Sequence, residues 1–400
     1  MLTLLGVAEL LGMSLWFAGS AVAPHYRDLW QLSPGEAAWL TTVVQLGFVA
    51  GTAISAILNL ADIVPSRWLF AASALIAAGA NAALLASPDY GSTLAWRFVT
   101  GMALAGVYPP AMKMAATWFR SRRGLAVGVI VGALTVGKAL PYLLHALPGA
   151  GIRSVLLAAS ISAALGAVLV AAAYRDGPYP FLPRPFSWRL VGGVAGTRRW
   201  RLVLGGYLGH MFELYSAWTW LPVFVAASIA TGGGPTLIGD VGTADLIGFA
   251  ALAVGGAGCL WGGLAADRLG REKIVTLSMA VSGTCAALIG FAFGRSLWLL
   301  VPIALVWGFF VIADSAQFSV LAAESVPQHA VGTALTLQVS LGFLLTTVTI
   351  QLVPWLAERT GWNWAFVILA LGPMVGIGAI RRLKSRDPAD AQLSWRSPAA

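Results

Sequence analysis

Charge is what this 400-residue chain has least of. Asp, Glu, Lys and Arg together make up 10% of it, where a soluble domain carries roughly a quarter. So few charges cannot clothe a water-facing surface of this size, so most of the exterior must face lipid. Cysteine is nearly absent as well: Cys259 and Cys285 are the two present, both inside apolar runs. That excludes a disulfide framework and a thiolate metal site. The four histidines and sixteen acids form no metal-ligand spacing, no Ser/His/Asp arrangement accompanies them, and no glycine-rich loop is placed to cradle phosphate. No enzyme, metal or cofactor is therefore expected. What fills the chain instead is 58% hydrophobic residues at a mean hydropathy of +0.80.

About 20 mainly apolar residues span the hydrocarbon core as a helix. Twelve runs meet that requirement, near 2–24, 36–58, 68–87, 93–116, 124–146, 153–174, 202–225, 244–266, 273–293, 297–321, 332–353 and 361–380. The first lacks a basic leader and is expected to be a retained helix rather than a cleaved signal. RDGPYPFLPRPFSWRLVGGVAGTRRW, residues 175–200, is the longest polar interruption and parts six spans from six. The expected division is a bundle over 1–174, a central loop over 175–201, a second bundle over 202–380 and a tail over 381–400.

The net charge of +9 does not call for nucleic acid, because the basic residues alternate with the spans. With the N-terminus placed in the cytoplasm, eighteen fall in inner segments: Arg67; Arg120, Arg122 and Arg123; Arg175, Arg184, Arg189, Arg198, Arg199 and Arg201; Arg268, Arg271 and Lys273; Arg381, Arg382, Lys384, Arg386 and Arg396. Outer loops hold four, Arg27, Arg153, Arg295 and Arg359, and the spans three, Arg97, Lys113 and Lys138. Positive residues stay on the cytoplasmic side, so both termini are expected there, in a multi-pass protein of the plasma membrane, a bacterial inner membrane.

Several motifs sharpen this. GGLAADRLGREK, residues 262–273, lies between spans eight and nine and closely resembles the loop signature of the major facilitator superfamily. LNLADIVPSR at 58–67 is a worn copy in the first half, keeping Leu60, Ala61, Asp62 and Arg67. AWRFVTGMALAG, from Ala95, resembles the fourth-helix motif of that superfamily, with Arg97 and Gly101 in place, and WFRSRRGLAVGV resembles its loop between helices four and five. The resemblance implies an all-α integral membrane protein of twelve transmembrane helices in two pseudo-symmetric six-helix bundles, monomeric, carrying a small solute between them. It also implies a cytoplasmic gate drawn from Asp62, Arg67, Asp267, Arg268 and Arg271. Physically, an acid at a helix end can pair with the next helix terminus, and arginines there anchor on carbonyls or lipid phosphates. Whether these residues are a latch or only topology determinants stays open.

Ionisable side chains within a span are costly and face a wet path or a partner. Here they are Glu9, Arg97, Lys113, Lys138, His210, Glu213 and Asp314. The resemblance assigns a central cavity to helices one, four, seven and ten, and all but Lys138 of span five fall on those four. Glu9 precedes Trp16 by seven residues, and Glu213 precedes Trp220 by the same interval. That spacing, close to two turns, sets acid and ring on one face. Glu9 lies roughly 10 Å above its helix start at 1.5 Å per residue, a depth that Lys113 also reaches, so a Glu9–Lys113 ion pair is expected. Glu213, with His210 one turn away, is placed for proton pickup and relay. Proton coupling is thus assigned to Glu9, Glu213, Asp314 and His210. Cargo contact is assigned to Lys138, Arg97 and Lys113, walled by Tyr108, Tyr142, Trp16, Trp220, Tyr215 and Gln317. Each also has a structural reading: Glu9–Lys113 as a fixed pair, Arg97 as a helix lock, His210 as a donor to a carbonyl and Asp314 as a helix contact.

The leading expectation is a proton-coupled carrier of a small anionic solute working by rocker-switch alternating access. SLWFAGSAVAP and GHMFELYSAWTW are similar to the nitrate- and cyanate-like branches of the superfamily. The alternative is a drug/proton antiporter for cationic or neutral amphiphiles. Lys138 within TVGKALPY, where drug antiporters carry a Gly-Pro motif, counts against it. The charge pattern makes one direct prediction. Reporter fusions at residues 1 and 400 should both score as cytoplasmic, and a fusion in the 147–152 loop should score on the far side; opposite scores for the termini would overturn the topology.

Overall fold

The computed structural model describes residues 1–119, 123–179 and 186–384. The expectations placed on residues 120–122, 180–185 and 385–400, including most of the tail and part of the central loop, lie outside them. Among the described residues, ten helices are long and apolar enough to cross a membrane. Spans two and three are Pro34–Ile57 and Ser66–Ala86, and spans five and six are Arg123–Ala146 and Ile152–Ala173. The second half runs Arg198–Gly232, Thr243–Leu269, Arg271–Ala292, Leu297–Glu324, Gln328–Thr360 and Trp362–Leu383. Their outward faces carry large exposed apolar residues, among them Ile76, Ile161, Val168, Val348 and Met374, as a lipid-facing surface requires.

The two runs not among the ten are spans one and four, and both are broken. Span one is helical over Leu2–Met13, turns through residues 14–17 and resumes as Ala18–Ala21 and Ala23–Trp30. Span four is Tyr90–Leu104 followed by Tyr108–Trp118. The second break has a local cause: Pro109 and Pro110 open the new helix, and proline cannot donate to the preceding turn. Span ten is interrupted too, at Asp314, between Leu297–Ala313 and Ser315–Glu324. All three breaks are buried. Non-helical backbone at membrane depth is tolerated only there, since lipid supplies no hydrogen bonds. Span seven, Arg198–Gly232, stays continuous through 35 residues despite Pro222.

Within the expected central loop, Trp188–Gly196 forms a short helix capped by the Ser187 hydroxyl. A minimal antiparallel ribbon pairs Leu237 with Gly242 and Ile238 with Val241 ahead of span eight.

The halves meet chiefly along spans five and eight, and along spans two and eleven. Between five and eight the contact is backbone on backbone. A Cβ on Gly132 would lie 3.1 Å from the Gly256 carbonyl, and one on Gly256 would lie 3.2 Å from the Gly132 carbonyl. Small residues permit this approach, the membrane's counterpart of tight core packing. Gly256→Leu should therefore cost about 1–3 kcal/mol by overpacking, read as a lower unfolding temperature of the detergent-solubilised protein. An unchanged temperature would show the seam to be loose.

Candidate functional site

Arg97 is placed by the second quarter of span four and is fully buried. Its guanidinium donates to three carbonyls: Nε to Leu40 at 3.0 Å, Nη1 to Leu15 at 3.1 Å and Nη2 to Trp16 at 2.6 Å. Leu15 and Trp16 lie in the break of span one, where the regular helical ladder lapses; the Leu15 carbonyl keeps a 3.4 Å bond from the Ala18 N–H. Arg97 thus supplies the donors that the break needs. This is the helix lock, and its donors are directed at backbone rather than toward a cargo.

The lock fixes Trp16, and Trp16 carries the next interaction. Lys138 of span five is 1% exposed. Its Nζ sits 3.8 Å from the Trp16 ring centroid, 4.6 Å from that of Tyr215, 5.7 Å from Trp218 and 6.0 Å from Phe343. It also donates to the Tyr215 hydroxyl. Trp16 belongs to the first half and the other three rings to the second, so the ammonium bridges the seam. Ring packing around it is dense: Trp16–Phe48 at 5.2 Å, Trp16–Phe343 at 5.4 Å, Phe48–Phe343 at 4.5 Å and Tyr215–Phe343 at 5.0 Å. Among the described residues no carboxylate comes within 4 Å of Lys138. Glu9 is the acid within electrostatic reach of it, fully buried and with both carboxyl oxygens unpartnered.

The expected Glu9–Lys113 pair is not formed. Lys113 reaches Asp62 at 2.6 Å and also donates to the Ala61 carbonyl. Its side chain lies on the face of span four turned toward the 58–67 loop, a direction that depth along the helix does not reveal. Tyr108 opens the second part of span four and lies in the electrostatic neighbourhood of Glu9. Tyr142 is buried beside Phe17 at 6.1 Å, its hydroxyl without a partner.

In the second half the acids are held differently. His210 Nδ1 lies 2.9 Å from Asp314 Oδ1, both buried. Glu213 accepts from Trp307 Nε1 at 2.6 Å and from the Ser282 hydroxyl at 2.9 Å. The acid-and-tryptophan echo between halves does not produce a second wall. Glu213 points into the packing of spans seven, nine and ten, while Trp220 donates to the Ile350 carbonyl and faces Trp362. His210 meets Asp314 rather than relaying to Glu213. Gln317 donates to the Gly262 carbonyl at 3.4 Å, joining span ten to span eight.

At the basic end, Lys113–Asp62 forms an ion pair within the first half and Arg271–Glu324, at 3.4 Å, within the second. Arg67 stacks on Trp68, and Asp267 and Arg268 are exposed. At the opposite end, side-chain bonds cross between halves, His145–Asp245 at 2.8 Å and Gln351–Thr42 at 3.1 Å.

Residues not anticipated from the sequence also belong here. Phe48, Trp218 and Phe343 complete the ring set, and Gln45 and Gln338 are fully buried with both amide atoms unpartnered. A lone glutamine inside an apolar run was the available signal for the last two.

The family model described as Major Facilitator Superfamily matches residues 4–348 and 203–399. The chain belongs to the major facilitator superfamily. Membership makes it a membrane transport protein rather than an enzyme. A stretch of 89 residues is 32% identical to the niacin transporter NiaP of Acinetobacter baylyi (strain ATCC 33305 / BD413 / ADP1). That stretch is 22% of this chain and 20% of that relative. The structure is similar to the crystal structure of a bacterial homolog to the human lysosomal transporter Spinster, in an inward-facing and unoccupied conformation. The TM-score is 0.72 at 14% identity, over 100% of this chain and 98% of that one. That likeness establishes the fold.

Arg97→Ala should leave the buried Trp16 carbonyl without its donor, at a cost of about 1–3 kcal/mol, and remove two further bonds to Leu15 and Leu40. The expected result is a large fall in unfolding temperature. Full retention of stability would remove the lock.

Proposed function

We propose that this superfamily member is a proton-coupled secondary transporter of a small anionic solute, working by alternating access between its halves. One observation carries the reading: the Lys138 ammonium is buried at the seam without a carboxylate in ion-pair distance. A buried ammonium is stable only when its charge is balanced or its donors are used. Lys138 has three donors and spends one of them on Tyr215. An anionic cargo supplies the missing balance. A cationic cargo would meet a like charge in the same place, which counts against the drug-antiporter reading.

Coupling follows from charge counting. Lys138 can balance one negative charge in a medium of low dielectric constant, and two groups compete for it, Glu9 and the cargo. When the anion docks, Glu9 must hold a proton to remain buried. When the anion leaves, Glu9 releases that proton and becomes the counter-charge. Anion and proton therefore travel together. The His210–Asp314 pair offers a second protonatable site in the other half, at the break of span ten. Niacin is a carboxylic acid, so the short identity to a niacin transporter supports an acid as cargo.

The test is uptake in proteoliposomes. An inwardly directed proton gradient should drive accumulation of a labelled carboxylate, and Lys138→Ala should abolish it. Glu9→Gln should keep counterflow of the anion while losing accumulation against a gradient. Undiminished flux in Lys138→Ala would overturn the anion site.

A further inference from the structure

Buried hydrogen-bond donors without partners are rare in folded proteins, and each one needs a reason. In this chain several of them gather around Lys138. The Trp16 indole N–H has no partner, although its ring is the one closest to the ammonium. The Trp218 indole N–H is likewise unpartnered, its ring packed on Tyr215 at 5.5 Å and on Phe17 at 6.3 Å. Gln45 belongs to the same neighbourhood by register. It stands one turn from Thr41, which bonds to Ser20 of span one, and one turn from Phe48, whose ring touches Trp16. Residues three and four apart share a helix face, so Gln45 lies on the face of span two that carries Thr41 and Phe48.

We propose that Trp16 Nε1, Trp218 Nε1 and the Gln45 amide, together with the free donors of Lys138, form the recognition set for a planar oxyanion, a carboxylate or nitrate. The inference rests on the anion-transport reading above and assigns its specificity. Trp218 and Gln45 are the specificity residues, since Lys138 alone would attract any anion. Three neutral donors from separate helices add direction to one cation. A planar oxyanion presents several acceptor lone pairs in its own plane and can engage Lys138 and the indoles at once. A halide is a single sphere and cannot distribute itself over donors on three spans. The surrounding rings exclude water, and a buried site rejects a ligand that leaves its donors unpaired. Indoles suit the role because they donate without adding charge, leaving the charge balance with Glu9 undisturbed.

Isothermal titration calorimetry on the full-length protein in detergent tests this with sodium benzoate, sodium nitrate and sodium chloride. The native protein should bind benzoate, nitrate or both at least tenfold more tightly than chloride. Binding of benzoate alone identifies a carboxylate cargo, and of nitrate alone an inorganic one. Trp218→Phe keeps the ring and removes the N–H, and Gln45→Met keeps the length and removes the amide. Each should weaken oxyanion binding about tenfold and leave chloride unchanged, with native unfolding temperatures as the control for folding. If both variants bind within twofold of native while Lys138→Met abolishes binding, the recognition set is wrong and the anion reading stands. If native and Lys138→Met bind the anions equally, the anion reading fails and the recognition set with it.

Discussion

A single guanidinium holds the arrangement together. Span one stops being a helix at Ser14 and exposes carbonyls that a bilayer cannot solvate. Arg97 reaches across from span four to take two of them, and Leu40 of span two supplies a third. The planar fork of arginine suits this better than the point charge of lysine. Because the break is held, Trp16 has a fixed position; because Trp16 is fixed, Lys138 has a ring face to rest on. The seam chemistry therefore depends on a residue that touches neither Lys138 nor Glu9.

The titratable side chains are sorted by half. The first half carries the cations Arg97, Lys113 and Lys138 with Glu9, and the second carries Glu213, Asp314 and His210. Glu213 accepts two hydrogen bonds from neighbours in its own half, and Asp314 lies 2.9 Å from His210. Lys138 differs from all of these, since its hydrogen-bond partner belongs to the other half. Any change in how the halves meet changes the environment of that ammonium.

Hydropathy made the spans legible, because lipid demands long apolar runs and little else resembles them. It did not show the breaks. Pro109 and Pro110 were the available signal for one of them, whereas residues 14–17 contain neither glycine nor proline, and their break is visible only in the carbonyls that Arg97 takes. Azimuth was the weak point. Counting along a helix gives depth and a shared face, yet not which neighbour that face meets. So Lys113 was matched to Glu9 by height and instead turns to Asp62, and Trp220 shares a face with Glu213 without sharing its surroundings. The unpartnered glutamines were legible as anomalies, but their relation to Lys138 needs three helices at once.

The glycine contact between spans five and eight has a mechanical consequence. Where Gly132 and Gly256 meet, the two backbones approach closely, and the side chains of Val136 and Cys259 close in beside them. On the alternating-access reading proposed above, resistance to rocking lies where four aromatic rings gather within 6.0 Å of one ammonium. If the anion site proposed above is right, the barrier to that motion and the cargo contact share one place.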